Sequence, residues 1–267
     1  MTFLYKDALQ LGPEQDVLHL GERQLTLRHG KGDLPLEPVS LDDWLAQRGG
    51  DAQLPQLTGE APSQPFAPCP SRLGFYGVVP SSDWLKRLLD LGVKTLQLRF
   101  KGEASEAERQ VAQAVKAAQG CQARLFINDH WQAALHHGAY GVHLGQEDLL
   151  TADLEQLSLS GIRLGLSSHG LFEQARALSL RPSYIALGAI FATPTKAMPT
   201  APQGLARLKA FCQRAGNTPT VAIGGIDLDN AAAVLAQGPG SLAVVRAVTE
   251  SAHLAADVRR WLALCGG

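Results

Sequence analysis

Seven short stretches between residues 97 and 246 concentrate the side chains that could do chemistry. Gln97, Arg99 and Lys101 alternate with Leu98 and Phe100, so in a strand the amide and both cations share one face. Two cations held together away from water are costly without an anion. The planar fork of an arginine beside the point charge of a lysine suits a diphosphate; a salt-bridged strand end is the alternative. Asn128-Asp129 and Gln146-Glu147-Asp148 add carboxylates of the kind that bind Mg²⁺, a cation that takes oxygen ligands and shares them with phosphates. The same carboxylates would also serve as an acid–base pair, or Asp148 as a helix cap.

Ser167-Ser168-His169-Gly170 lacks the surroundings of a nucleophilic serine, so a hydroxyl facing a phosphate, or plain capping, is expected. His169 is either a base or a histidine satisfied by backbone. Thr193-Pro194-Thr195-Lys196 places two hydroxyls and an ammonium within four residues, a phosphate grip without a Walker motif. Gly224-Gly225 would let backbone N–H groups approach a ligand. Alternation along a strand over 241–248 puts Leu242, Val244 and Arg246 on one face, with Arg246 turned inward at the strand's C-terminal end. Together these make two anion sites and one metal site, which fits two phosphorylated small-molecule substrates.

The elements that must position these residues are regular after residue 72. Apolar, β-rich runs occur at 73–79, 95–100, 124–129, 141–145, 163–168, 184–191, 220–225 and 241–248. Amphipathic stretches lie between them, among them 83–92, 106–119 and 229–238, and Gly92, Gly138 and Gly238 stand where helices end. Eight βα units predict an α/β fold, a closed (β/α)₈ TIM barrel over residues 72–267. The rival, a doubly wound sheet, needs a glycine fingerprint after a strand; the one present, Gly238 to Ala243, precedes one. In such barrels the site lies where strands end, which is where the chemistry-bearing residues stand.

Residues 1–54 predict a small N-terminal appendage of unassigned role, with a hairpin over 16–30 and a short helix over 40–49. Pro55, Pro62, Pro65, Pro68 and Pro70 mark residues 55–71 as an extended linker. Of the 267 residues 45% are hydrophobic and 18% charged, which excludes a disordered chain. Residues 1–70 hold 5 Lys+Arg against 10 Asp+Glu, and the rest 19 against 15. The formal net charge of −1 argues against nucleic-acid binding by general basicity, while the cationic body suits anionic ligands. No apolar run is long enough for a membrane span, and residues 1–7 do not read as a secretory signal. Cys69, Cys121, Cys212 and Cys265 are widely spaced, which indicates reduced thiols and a cytoplasmic protein. Association with further copies of the chain is left open.

The segments QLRFK (97–101), FINDHW (126–131), GVHLGQEDL (141–149), LGLSSH (164–169), TPTK (193–196), AIGGI (222–226) and AVVRAV (243–248) resemble, in order, the motif series of the thiamine-phosphate synthase (thiamine-phosphate pyrophosphorylase) family. The resemblance spans roughly residues 72–264. It implies a TIM-barrel transferase of thiamine biosynthesis that condenses 4-amino-2-methyl-5-hydroxymethylpyrimidine diphosphate with hydroxyethylthiazole phosphate, releasing pyrophosphate. It further implies that Gln97, Arg99, Lys101, Asn128, Ser167 and Lys196 contact the pyrimidine diphosphate, and that Asp129 and Asp148 bind Mg²⁺. Thr193, Thr195, Gly225, Val245 and Arg246 would line the thiazole-phosphate site, with no protein nucleophile. Two positions depart from the family pattern: Phe100 replaces an acidic residue, and Arg246 replaces a serine. The alternatives are a thiazole tautomerase-like enzyme and a non-catalytic sensor of thiamine precursors.

Overall fold

A computed structural model describes residues 9–10, 15–20, 23–28, 61–195 and 202–266. Strands β1 (Leu9–Gln10), β2 (Gln15–Leu20) and β3 (Arg23–Arg28) form a small antiparallel sheet, with the expected hairpin between β2 and β3. The helix expected over 40–49 lies outside the described residues.

Eight parallel strands close a barrel: β4 (Gly74–Val79), β5 (Thr95–Leu98), β6 (Arg124–Asn128), β7 (Gly141–Leu144), β8 (Arg163–Ser168), β9 (Tyr184–Leu187), β10 (Thr220–Ile223) and β11 (Ser241–Val244). Neighbours in sequence are neighbours in the barrel, and β11 pairs with β4 to close it. Each strand begins within one residue of the start expected from its apolar run. Most stop earlier, because the following residues leave the sheet to build loops. The tails after β9 and β11 are the longest at four residues each, and after β11 Arg246–Thr249 is helical and not strand.

Helices α1 (Ser82–Asp90), α2 (Ala104–Gly120), α3 (Trp131–His137), α4 (Leu154–Leu159), α5 (Leu171–Ser179), α6 (Gly204–Arg214), α7 (Ala231–Leu235), α8 (Arg246–Thr249) and α9 (Leu254–Cys265) connect or follow the strands. Ser81 caps α1 by accepting from the Trp84 N–H at 3.3 Å, and Asp153 caps α4 by accepting from the Gln156 N–H at 2.8 Å. Asp148 is therefore not the cap of that helix.

Strand alternation divides the apolar side chains between two cores. Leu96, Leu98, Leu125, Ile127, Val142, Leu164 and Leu242 face outward onto the helices. Tyr76, Phe126, Tyr184, Ala186 and Val221 fill the barrel interior. Trp261 of α9 is fully buried and stacks on Phe75 at 5.3 Å, fixing the last helix against β4. Gly165 leaves the room that Tyr184 occupies, since a Cβ there would sit 2.2 Å from the Tyr184 ring.

Residues 61–70 form neither helix nor strand, but they do not hang free. Phe66 is 5% exposed and belongs to the outer core. The Ser183 hydroxyl donates to Ala67 O at 2.6 Å, the Arg163 Nε–H to Pro68 O at 3.0 Å, and the Gln64 amide to Ser158 O at 2.9 Å. Arg181 donates to Pro62 O as well. This stretch binds residues at or just before the starts of β8 and β9, the end of the barrel opposite the chemistry-bearing strand ends.

Candidate active site

The inward-facing residues near the C-termini of β5 to β8 are polar, whereas those of β4, β9, β10 and β11 (Val78, Ala186, Ile223 and Ala243) are apolar. Gln97 on β5 and Asn128 on β6 are 5% and 7% exposed. The Gln97 amide donates to the Tyr76 hydroxyl at 3.3 Å, whereas the Asn128 side chain makes no hydrogen bond among the described residues. Beyond Leu98 the chain leaves the strand, yet the Arg99 N–H still donates to Val79 O at 2.8 Å, prolonging the ladder by one bond. The Arg99 guanidinium, half-buried, has no ion pair among the described residues. Phe100 packs against the outer core, as alternation expects.

Two carboxylates meet at the ends of β6 and β7. Asp129 follows β6 with φ +63°, a left-handed conformation rare outside glycine and asparagine, which aims its side chain at the mouth. Its carboxylate accepts from the Lys101 ammonium at 2.5 Å. Burial raises the Asp129 pKa, but the hydrogen bond and charge of Lys101 outweigh burial and hold the group below the ordinary range. Asp148 has the opposite fate. Burial first, and then the negative charge of Asp129, push its carboxyl above the usual range, against the Gly145 N–H that donates to it at 2.8 Å. Two neighbouring carboxylates with one ammonium, bound to Asp129, lack positive charge. Gln146, two residues before Asp148, has a buried Oε1 with no hydrogen-bond partner among the described residues. An all-oxygen donor set of this kind fits a small hard divalent cation.

The end of β8 is tied to the same centre. The Gln146 amide donates to Ser167 O at 2.7 Å, and the Ser167 hydroxyl lies 2.9 Å from His143 Nε2. His143 Nδ1 is 2.7 Å from the Tyr184 hydroxyl, itself 2.9 Å from that of Tyr76. A hydrogen-bonded chain thus runs through the barrel from Ser167 to Gln97. Burial holds both tyrosines above the ordinary phenol range, so they are neutral here. The sequence reading did not single out His143, Tyr184 or Tyr76. The available signal was a polar residue on the inward phase of an apolar strand, since His143 sits between Val142 and Leu144. His169 is held by the helix that follows it: its backbone N–H and its Nδ1 both lie 2.7 Å from a Glu173 carboxylate oxygen.

The residues expected to form the second anion site stand on three loops. The Thr193 hydroxyl donates to Thr195 Oγ1 at 3.1 Å, and both threonines are half-buried. Lys196 lies outside the described residues. Phe191 N–H donates to Gly224 O at 2.9 Å, joining the loop after β9 to the loop after β10. Gly225 has φ +67°, and a Cβ there would meet Phe191 Cβ at 2.7 Å, so only glycine allows this approach. Val245 precedes α8, and Arg246 is that helix's first residue. The strand alternation expected to turn Arg246 inward is therefore absent. Its guanidinium is exposed and paired with Glu250 at 2.7 Å, one helical turn on.

Among the described residues no helix is long and apolar enough to cross a membrane. The thiamine monophosphate synthase family model matches residues 78–248. A thiamine-phosphate synthase of Neisseria meningitidis serogroup A is 56% identical over 203 residues, covering 76% of this chain and 99% of the relative. One from Cronobacter sakazakii is 55% identical over 202 residues, covering 75% and 96%. Among solved structures, a thiamine phosphate pyrophosphorylase from Pyrococcus furiosus aligns with TM-score 0.64 and 25% identity, covering 73% of this chain and 96% of that one. A 3-hexulose-6-phosphate synthase with 15% identity and TM-score 0.54 shares the fold alone. With the motifs in order, the strand ends gathered at one mouth and this identity over nearly the whole length of its relatives, the chain belongs to the thiamine monophosphate synthase family.

Proposed function

We infer that this chain joins 4-amino-2-methyl-5-hydroxymethylpyrimidine diphosphate to hydroxyethylthiazole phosphate, giving thiamine phosphate and pyrophosphate. The observation that carries the reading is the 56% identity to a thiamine-phosphate synthase across 99% of that relative's length. The polar mouth supplies what the chemistry requires. The C–O bond to the diphosphate breaks, pyrophosphate leaves with the electron pair, and the thiazole nitrogen donates its lone pair to the pyrimidine methylene. No protein nucleophile takes part.

Arg99, Lys101 and Lys196 compensate the charge that accumulates on the leaving group, and charges in place before the reaction avoid reorganisation during it. Mg²⁺, held by Asp129 and Asp148, would supply further charge neutralisation of the diphosphate. Gln97, Asn128 and Ser167 orient the pyrimidine diphosphate through neutral hydrogen bonds. Thr193, Thr195 and the backbone around Gly225, Val245 and Arg246 hold the thiazole phosphate, so that nucleophile and methylene meet at close range. This is work on two phosphorylated small molecules in the cytoplasm.

The test is pyrophosphate release from the purified chain, with and without Mg²⁺, given each substrate singly and both together. Release that needs both substrates and the metal is expected. Binding of the substrates without release would make the chain a sensor. Proton exchange on the thiazole without pyrophosphate would make it a tautomerase.

Arg246 provides a sharper expectation. Its exposed guanidinium pairs with Glu250, so the contact to the thiazole phosphate is assigned to the main-chain N–H. Arg246→Ser should leave the KM for the thiazole phosphate within ~3-fold at low salt, where a charge contact would be least screened. A rise of ~10-fold would show that the guanidinium turns to the phosphate instead.

A further inference from the structure

Away from the barrel mouth, helices α2 and α3 bring together three metal-ligating side chains that the transferase reading does not use. Glu108 projects from α2, and His136 and His137 form the last turn of α3. One ligand atom from each lies within 4.8 Å of the other two. His137 Nε2 is 2.7 Å from Glu108 Oε1, and the two imidazole centroids are 4.6 Å apart. An ordinary ion pair accounts for His137 and Glu108 but leaves the position of His136 unexplained. We propose that Glu108, His136 and His137 form a binding site for a divalent transition-metal ion, Zn²⁺ foremost.

The donor chemistry selects the class of ion. Two imidazoles and one carboxylate suit Zn²⁺, Cu²⁺ or Ni²⁺, whereas the oxygen set of Asp129 and Asp148 suits a hard cation such as Mg²⁺. The size also fits. Zinc bound at roughly 2.0–2.1 Å in a tetrahedron holds its donors about 3.3 Å apart. The Glu108–His137 pair needs to open slightly and His136 to close, and both changes are small side-chain movements. Those side chains have the freedom to make them: His137 is 25% and Glu108 48% exposed. The last turn of a helix adds favourable partial negative charge for a cation. Three protein donors leave the fourth position of a tetrahedral ion to water.

The full chain, freed of metal with a chelator, would be titrated with ZnCl₂ by calorimetry near neutral pH. Excess Mg²⁺ keeps the carboxylate centre from competing. One equivalent of zinc is expected to bind. His136→Ala combined with His137→Ala should weaken binding at least ~10-fold, about 1.4 kcal/mol. Asp148→Asn, which alters only the mouth, should retain the zinc site. The substituted positions are not in the core, and circular dichroism verifies folding; His136→Asn, the mildest change, is the second variant and should also weaken binding. Co²⁺ provides an independent readout, because imidazole-ligated tetrahedral cobalt absorbs strongly in the visible. Zinc binding unchanged in the double variant, or lost in Asp148→Asn, would overturn the assignment, as would the absence of binding to the unsubstituted chain.

Discussion

Replacing Asp129 or Asp148 is expected to lower turnover at least ~100-fold, a loss of roughly 2.7 kcal/mol of transition-state stabilisation. Each change removes an anionic oxygen from a centre where two carboxylates face each other and Lys101 supplies the nearby positive charge. Without either, the developing pyrophosphate would be less well neutralised. The choice of substitution matters at Asp129, whose φ of +63° strains most side chains. Alanine there adds backbone strain of about 1–2 kcal/mol to the loss of charge. Asparagine tolerates that conformation, so Asp129→Asn isolates the charge. Steady-state kinetics against Mg²⁺ concentration should show a raised metal requirement with the fold intact by circular dichroism. Near-normal turnover in both Asp129→Asn and Asp148→Asn would remove these residues from the metal site.

A chain beginning at Ala61 should fold and keep its specific activity within a few-fold, whereas one beginning at Ser71 should be markedly less stable. Every residue assigned to the chemistry lies after residue 96, and the Neisseria meningitidis relative is matched along 99% of its length by only 203 residues of this chain. That argues for a dispensable appendage. The proline-rich stretch has two parts with different consequences. From residue 61 on it is bound to the barrel, and Phe66 fills a buried position in the outer core. Removing a buried phenylalanine costs roughly 3–5 kcal/mol before the lost hydrogen bonds are counted. For a domain of this size that lowers Tm by on the order of 10 °C. Thermal unfolding of the two truncated chains decides the matter. Equal Tm values would show that residues 61–70 contribute nothing, and a folded but inactive chain from Ala61 would place part of the site in the appendage.

Eight near-continuous apolar runs alternating with amphipathic stretches were sufficient to read the barrel, since strands covered on both faces leave few other architectures. Strand starts were legible because turn residues and the onset of β-branched and aromatic residues coincide there. Strand ends were less so. After Val244, the apolar residues Val245, Ala247 and Val248 look like more strand, yet they pack a short helix, and burial by a helix leaves the same composition as burial by a sheet. The error fell on Arg246, which strand alternation turned inward and the helix turns toward Glu250.

The types and order of the mouth residues came from the sequence itself, because a diphosphate needs cations and a hard metal needs carboxylates wherever they are placed. Their mutual distances did not. Asp129 and Asp148 are 19 positions apart in sequence and influence each other's ionisation only because β6 and β7 are paired neighbours. The chain of hydrogen bonds from Ser167 through His143, Tyr184 and Tyr76 to Gln97 crosses four further strands and has no local signature. The same holds for Phe66, which composition assigns to a linker and the tertiary structure to the core. Local pattern fixes what faces inward along each strand; only closure of the barrel brings those faces within a hydrogen bond of one another.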